Sequence, residues 1–133
     1  MKIITTKAHG ILDYLMGALL IIAPWIFDFA RDGAETWIPV VLGVGTVSYS
    51  LLTKYEYSIF KSIPMKTHLN LDLLSGIFLA ASPWVFGFND YVYLSHLVLG
   101  IVGILASLLT ETHSRYSEKG TPGYGHAAHT NLP

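Results

Sequence analysis

Four long apolar stretches constrain this 133-residue chain more than any other feature of its sequence. The stretches run over residues 10–29, 37–53, 69–88 and 91–110. Together they contain only three formally charged side chains, all of them aspartates. Because an α-helix rises about 1.5 Å per residue, about 20 residues cross a hydrocarbon layer of about 30 Å. The pattern therefore predicts an all-α membrane protein with four transmembrane helices.

Composition argues against several other classes of protein. Charged residues make up 13% of the chain, against about 25% in an average soluble domain. The net charge of −1 and the mean hydropathy of +0.48 argue against a disordered chain, a nucleic-acid-binding protein and an ordinary water-soluble enzyme. The absence of cysteine excludes disulfides and thiolate metal sites. The chain also lacks a phosphate-binding glycine loop and an H-E-x-x-H motif, which favours a protein without enzymatic activity over an enzyme.

The basic residues predict how the chain is oriented in the membrane. Seven of the eight lie on one side of a four-span arrangement: Lys2, Lys7, Lys54, Lys61, Lys66, Arg115 and Lys119. Only Arg31 lies on the other side. Because basic loops are retained in the cytoplasm, both termini and the central loop should be cytoplasmic. The predicted location is the cell membrane, as a multi-pass protein.

The sequence is an internal duplication. Residues 7–29 and 66–88 share eleven identities in 23 positions when the chain is compared with itself at an offset of 59 residues. The second copy is two residues shorter in its outer turn, so the offset for the rest of the repeat is 57. The duplication divides the chain into a first hairpin at residues 1–57 and a second at residues 58–113. Each hairpin has two spans, so both copies enter the membrane the same way round. We predict two tandem helical hairpins related by a pseudo-two-fold axis along the membrane normal.

One tripeptide occurs at the same place in both copies. It reads Ala23-Pro24-Trp25 in the first copy and Ser82-Pro83-Trp84 in the second. The motif resembles the signature of the SPW-repeat family of small integral membrane proteins, in which it lies in the first of two spans per repeat. The resemblance covers about residues 7–113 and implies a fold and a membrane compartment, but no reaction. The first copy departs from the pattern, since Ala23 stands where the family has serine.

The proline–tryptophan pairs are predicted to mark the outer membrane interface. Pro24 and Pro83 lie about fifteen residues into their spans, where a proline ends or kinks a helix. Trp25 and Trp84 would then belong to an aromatic belt at the outer surface. In the alternative interpretation, the prolines free the carbonyl groups four residues earlier to bind an ion.

Polar side chains recur on one face of the first and third spans. They are His9 and Asp13 in the first copy, and His68 and Asp72 in the second. Four residues further on, each copy has a glycine, Gly17 or Gly76. Because this spacing stacks residues on one helix face, and small residues mark close helix approaches in membranes, we predict that the two helices cross at these glycines. The four polar side chains should then converge near the cytoplasmic leaflet.

Such a polar cluster is compatible with three functions. A structural cluster would join the helices of a non-enzymatic structural or accessory membrane module. Two imidazoles and two carboxylates could instead hold a divalent metal, or His9 and His68 could ligate a haem iron in a membrane redox protein. Two nearby carboxylates could also handle protons in a small transporter acting as an oligomer. The structural function is favoured, and haem or a divalent metal is the cofactor to test.

The remaining expectations concern the surroundings of the four spans. The lipid bilayer is the predicted partner, with a homo-oligomer or a larger membrane complex as further partners and no nucleic acid. Residues 114–133 are predicted to form a flexible cytoplasmic tail, because they are polar and rich in Gly and Pro. The tail contains His126 and His129 at a spacing that suggests metal binding only weakly. His96 is expected to be an interfacial polar residue on the outer side.

Overall fold

The computed structural model describes residues 1–113, and these residues form four α-helices. The helices are α1 (Thr6–Ile26), α2 (Ala34–Leu52), α3 (Met65–Val85) and α4 (Leu94–Leu109). Within this part of the chain, β-structure is limited to two isolated bridge pairs. The prediction of an all-α fold with four helices is confirmed.

The helices α1 and α3 begin about four residues before the predicted spans. Thr5 caps α1, because its hydroxyl accepts a hydrogen bond of 3.2 Å from the Ala8 amide. Pro64, the repeat equivalent of Thr5, stands in an extended conformation directly before α3. The earlier starts place His9 and His68 within the first turns of their helices rather than in front of them.

The same two helices end just after their proline–tryptophan pairs. The carbonyl of Pro24 accepts hydrogen bonds of 2.9 and 3.0 Å from the amides five and six residues later, and the carbonyl of Pro83 accepts an equivalent pair. Each turn contains one residue in the left-handed region, Asp28 with a φ of 55° and Gly87 with a φ of 72°. Left-handed residues commonly close helix ends. The prolines therefore lie in the last turns of α1 and α3, at the end of each helix.

The helices pack as two hairpins, α1 against α2 and α3 against α4. Between the hairpins, α2 packs along α3, whereas α1 and α4 touch only sparsely. The segment before α1 nevertheless reaches the end of α4, where Ile4 and Thr110 form a parallel bridge. Its repeat equivalent is the bridge between Ile63 and Thr53. The duplicated sequence therefore produces duplicated contacts, but one of the two seams between the hairpins is looser than the other.

Glycines mark the closest helix approaches, but the predicted crossing of α1 and α3 at Gly17 and Gly76 is wrong. A Cβ atom on Gly43 would lie 2.7 Å from the carbonyl oxygen of Gly17, which places this contact between α1 and α2. In the second hairpin, a Cβ atom on Gly100 would lie 2.6 Å from the carbonyl oxygen of Gly76. The glycines therefore bring the helices of each hairpin together, because the short loop of a hairpin already holds its own two helices side by side.

The distribution of polar and apolar side chains is the reverse of that in a soluble protein. Among residues 1–113, fourteen polar or charged residues are buried against eight hydrophobic ones, and thirty large hydrophobic side chains are exposed. Two helices, Thr6–Ile26 and Ala34–Leu52, are long and apolar enough to cross a membrane, while the apolar helix Leu94–Leu109 is shorter. An apolar exterior of this extent is suited to contact with lipid or with another protein.

Candidate functional site

The structure brings together the four polar side chains that the sequence singled out. His9, Asp13, His68 and Asp72 each offer one ligand atom, and these atoms lie within 4.8 Å of one another. All four residues are buried, and the two imidazole rings are at most 1% exposed. We call these four residues the His–Asp cluster. It lies between the first turns of α1 and α3, as the spacing predicted.

Within the cluster, the shorter contacts join the two hairpins. His9 Nε2 lies 2.9 Å from Asp72 Oδ2, and His68 Nε2 lies 2.8 Å from Asp13 Oδ2. The contacts within one helix are longer, at 3.1 Å from His9 to Asp13 and 3.2 Å from His68 to Asp72. Each histidine is therefore paired with both carboxylates, and most closely with the carboxylate of the other repeat.

Two threonines determine the tautomer of the histidines. The hydroxyls of Thr110 and Thr53 lie 2.8 and 2.7 Å from Nδ1 of His9 and His68, respectively. Each hydroxyl also donates its one hydrogen to the carbonyl four residues earlier, in the helix that the threonine follows, at 2.6 and 2.7 Å. Because that hydrogen is used, the threonine oxygen must accept from the imidazole. Both histidines therefore carry a proton on Nδ1 and present Nε2 to the carboxylates.

The hydrogen-bond donors and acceptors of the His–Asp cluster also determine how many protons it shares. An unprotonated Nε2 and an ionised carboxylate would both be acceptors, so each close histidine–aspartate pair must contain a proton. The cluster therefore holds two protons, located on Nε2 or on the carboxylates. With two imidazolium rings and two carboxylates its net charge is zero, which suits a buried site.

The two aspartates differ in their further partners. The Tyr49 hydroxyl donates a short hydrogen bond to Asp72 Oδ1, whereas Asp13 accepts from the Ser50 hydroxyl at 3.2 Å. At the repeat offset of 57, the equivalent of Tyr49 is Ala106, which has no hydroxyl to donate. The cluster is thus duplicated at its centre and asymmetric at its edge.

Tyr55 covers the end of the cluster near the central loop. Its ring lies 5.8 Å from the His68 ring, measured between centroids. Space for it comes from Gly10, where a Cβ atom would lie 2.1 Å from the Tyr55 ring. Burial raises the pKa of the Tyr55 phenol above its ordinary value, so this side chain is neutral at physiological pH.

The geometry does not fit a haem between the two histidines. Their rings are 5.4 Å apart at an interplanar angle of 75°, and both Nε2 atoms contact the same oxygen of Asp72. A porphyrin bound through both rings would have to pass between these atoms, where the carboxylates lie. The donor set of two imidazole nitrogens and two carboxylates instead matches a small divalent cation such as zinc.

The SPW signature lies at the opposite end of α1 and α3 from the cluster. The Ser82 hydroxyl donates a 2.7 Å hydrogen bond to the carbonyl of Leu79. Pro83 has no N–H to donate to this carbonyl as a normal helical residue would. The Leu79 carbonyl, which the alternative interpretation assigned to an ion, therefore already accepts a hydrogen bond from Ser82. Ala23 has no hydroxyl with which to do the same for α1. Trp25 and Trp84 are both about half exposed, on the outside of the helices.

A family model described as the SPW repeat domain matches residues 7–110. The chain belongs to the SPW repeat family. Its two SPW repeats therefore account for nearly all of the described helices, and the family together with the apolar helices identifies a membrane protein. Neither the comparison with curated proteins nor the comparison with solved structures gives a match.

Among the described residues of this SPW repeat protein, two further histidines, His96 and His113, lie outside the cluster. His96 was expected at the interface, but it is 1% exposed. Its Nε2–H donates to the Glu35 carbonyl at 2.9 Å, and its ring lies between Phe29 and Phe88, the same residue of the two repeats. The packing of α4 against these two phenylalanines buries it. His126 and His129 fall outside the described residues.

Several residues of the site were missed by the sequence analysis. Thr53 and Thr110 belong to identical Ser-Leu-Leu-Thr segments of the two repeats, and that repetition was the available signal. Tyr49 has no equivalent in the second repeat, so duplication could not reveal it. Its contact with Asp72 depends on the packing of α2 along α3, which only the tertiary structure shows.

Proposed function

We propose that this protein is a structural or accessory membrane module of four transmembrane helices, in which the His–Asp cluster joins two tandem hairpins. The four helices would cross the bilayer as parallel repeats, with the lipid bilayer as the partner of the exposed apolar side chains. The inverted distribution of polar and apolar residues supports this environment. The length of α4, at 16 residues, is compatible with a span if its flanking aromatic residues lie in the interface.

The proposed orientation places the cluster end of the bundle in the cytoplasm. Lys54, Lys61 and Lys66 follow α2 or lie at the start of α3, close in sequence to the cluster. At the opposite end, the Arg31 guanidinium lies 3.3 Å from the centroid of the Tyr91 ring, so this single basic residue is engaged by an aromatic group. The asymmetry supports a cytoplasmic location for both termini.

Labelling of single cysteines tests this orientation, because the natural chain has no cysteine to react in the background. Lys54→Cys and Asp32→Cys change exposed residues at opposite ends of α2. In intact cells, a membrane-impermeant maleimide should label Asp32→Cys, and should label Lys54→Cys only after the membrane is permeabilised. Labelling of both variants in intact cells would contradict the proposal, as would the reverse pattern.

The observation that carries the structural function is the reciprocal bonding of the histidines. His9 of the first hairpin is held by Asp72 and Thr110 of the second. His68 of the second hairpin is held by Asp13 and Thr53 of the first. Polar contacts between membrane helices contribute about 0.6–2 kcal/mol each, so four of them link the hairpins firmly. The link needs no bound ligand, because each ring nitrogen already has a partner.

A double-mutant cycle tests whether the cluster links the hairpins. His9→Ala and Asp72→Asn are made singly and together, and the free energy of unfolding is measured in mixed micelles. A coupling energy of about 1 kcal/mol or more is expected for residues in direct contact. The control cycle pairs His9→Ala with Ser48→Ala, on the exposed face of α2, and its coupling energy should be near zero. Equal coupling in the two cycles would contradict the proposal.

A divalent metal centre is the second candidate function, and the fixed tautomer favours it. Metal-binding histidines usually donate their other ring N–H to an oxygen atom, as both histidines do to threonine here. The four nitrogen–oxygen separations of 2.8–3.2 Å lie close to the spacing of about 2.9–3.4 Å that ligands about 2.0–2.1 Å from one ion would have. A divalent ion would replace the two shared protons and leave the net charge at zero.

Metal analysis distinguishes the two candidates. Protein purified without chelators is analysed by elemental mass spectrometry and titrated with Zn²⁺, beside a His9→Ala, His68→Ala double variant. About one transition metal per chain, lost in the double variant but retained in a His113→Ala control, would establish a metal centre. Metal-free protein that neither binds added Zn²⁺ nor gains stability from it would exclude this candidate and leave the structural link.

A further inference from the structure

A cavity of about 190 Å³ adjoins the His–Asp cluster, with walls contributed by all four helices. Asp13, Asp72 and Tyr49 line its polar end. Leucines of α1 and small residues of α4 line much of the remainder. The cavity therefore combines an apolar body with carboxylates at one end. The structural link described above does not require such a space.

The duplication explains why the cavity lies beside α4. On the α2 side, Thr46 and Tyr49 fill the space next to Asp72, and their hydroxyls lie 3.2 Å apart. At the repeat offset of 57, α4 has Gly103 and Ala106 at the same positions, and both line the cavity. The seam between α4 and α1 thus lacks the two larger side chains of its counterpart. This is also the seam at which the helices touch only sparsely.

The carboxylate next to the missing tyrosine has room for another donor. Asp13 Oδ2 accepts from His68 and Ser50. Asp13 Oδ1 has one close contact among the described residues, with His9 Nε2 at 3.1 Å. In the other repeat, the corresponding aspartate receives the Tyr49 hydroxyl on its Oδ1. The cavity therefore lies where an aromatic ring carrying a hydroxyl group is found in the other repeat.

We propose that this cavity binds a small lipid-soluble phenol, whose ring takes the place of the missing tyrosine and whose hydroxyl donates to Asp13. Its volume suits one aromatic ring, since an apolar cavity of about 150 Å³ holds benzene. Leu19 and Leu99 provide apolar contacts for the ring. Leu12, Leu15 and Val102 line the cavity and are also exposed on the outside of the bundle. The ligand enters from the lipid between α1 and α4.

The free acceptor and the apolar walls of the site select this chemical class. A carboxylate oxygen accepts hydrogen bonds, so a hydroxyl donor is favoured over an ionised carboxylate or phosphate ligand, whose oxygens have no hydrogen to donate. The apolar walls favour an aromatic body over a sugar or a polyol, because polar groups buried there would lose their hydrogen bonds to water. A ring with one hydroxyl satisfies both requirements at once.

The test measures binding of 4-fluorophenol by ¹⁹F NMR to the full chain in lipid nanodiscs, with empty nanodiscs as the blank. 4-Fluorotoluene, which has the same shape but no hydroxyl, is the matched probe. The phenol should bind about tenfold or more tightly than the toluene, the effect of a hydrogen bond to a charged group. Equal binding of the two probes, or no binding of the phenol beyond the blank, would overturn the proposal.

Variants locate the binding site. Ala106→Tyr restores the missing ring and should abolish phenol binding, while Leu105→Tyr adds the same ring on the exposed face of α4 and should leave it unchanged. If Ala106→Tyr does not fold, Gly103→Leu fills the same space, because a Cβ atom there meets only the Gly76 Cα, at 3.8 Å. Unchanged phenol binding in the filled variant would refute the proposed site. None of these variants replaces a residue of the His–Asp cluster, so this result is separate from the test of the hairpin link.

Discussion

The two repeats use the same residues at the centre of the molecule and different residues around it. Each supplies one histidine, one aspartate and one threonine to the cluster, and each histidine is bonded chiefly by the other repeat. Beside the cluster, the first repeat has Tyr49 where the second has Ala106. A duplicated buried polar network is retained as a unit, because removing one member leaves its partners unsatisfied in a low-dielectric interior. Residues next to it can diverge, since their replacement leaves the reciprocal histidine–aspartate pairs in place.

The largest expected effect comes from removing one histidine of the cluster. His9→Ala or His68→Ala should each lower the free energy of unfolding by about 3–5 kcal/mol, because the two buried carboxylates then share one histidine and a buried negative charge is left uncompensated. The double variant should lose less than the sum of the two, since both act on one network. Unfolding is followed by circular dichroism in mixed micelles. His113→Ala, at an exposed histidine outside the cluster, is the control and should be neutral. A loss below 1 kcal/mol for either cluster variant would contradict the reciprocal link.

The second prediction concerns the hydrogen bond from Tyr49 to Asp72, which has no equivalent at Asp13. Tyr49→Phe should lower the free energy of unfolding by about 1.5–3 kcal/mol, because a hydrogen bond to a charged or strongly polar acceptor is lost. Tyr14→Phe is the matched control, as its hydroxyl donates to the backbone carbonyl of Tyr57 at 2.9 Å in an exposed position. The control should lose less than about 1 kcal/mol. Equal losses of stability in the two variants would show that the hydrogen bond to Asp72 contributes no more than an exposed hydrogen bond to the backbone.

The third prediction concerns the left-handed residue after each proline–tryptophan pair. Gly87→Ala should lower the free energy of unfolding by about 1–2 kcal/mol, because an L-residue is strained at this φ of 72°. Gly45→Ala is the control, since both glycines have open space where the Cβ atom would lie. It should be neutral or stabilising, as alanine favours a helix. Asp28→Gly should change stability by less than about 0.5 kcal/mol, because the strain relieved is offset by the greater freedom of glycine in the unfolded chain. A neutral Gly87→Ala result would contradict this account of the turn.

The smallest expected effect concerns the signature serine. Ser82→Ala should cost about 1 kcal/mol, because the Leu79 carbonyl next to Pro83 loses its donor in a buried position. Ala23→Ser should stabilise the first repeat by a similar or smaller amount, since it supplies the hydroxyl that this copy lacks. Ser48→Ala removes a comparable bond to the Val44 carbonyl from an exposed position and should cost less. The free energy of unfolding is measured for all three variants. An Ala23→Ser variant less stable than the natural chain would refute the role of the serine as the donor to this carbonyl.

Much of the fold and the centre of the site could be predicted from local patterns. Helix count follows from four apolar stretches, and the convergence of His9, Asp13, His68 and Asp72 follows from their repetition on one helix face. The predicted meeting of Gly17 with Gly76 was wrong, because a stripe of small residues does not specify which neighbouring helix it faces. The start of α1 was displaced for a different reason, since the Thr5 cap extends α1 into polar sequence that hydropathy alone assigns to a loop.

The sequence by itself determined the number of helices, their duplication and the pairing of a histidine with an aspartate one turn later, because these depend on periodicities within one segment. Only the tertiary structure decided that Thr53 and Thr110 orient the histidines, that Tyr49 donates to Asp72, and that a cavity lies where α4 has Ala106. Those features depend on how far apart the helices pack and how each is rotated about its axis. In an apolar environment these quantities are set by the fit of side chains between helices, which no single segment contains.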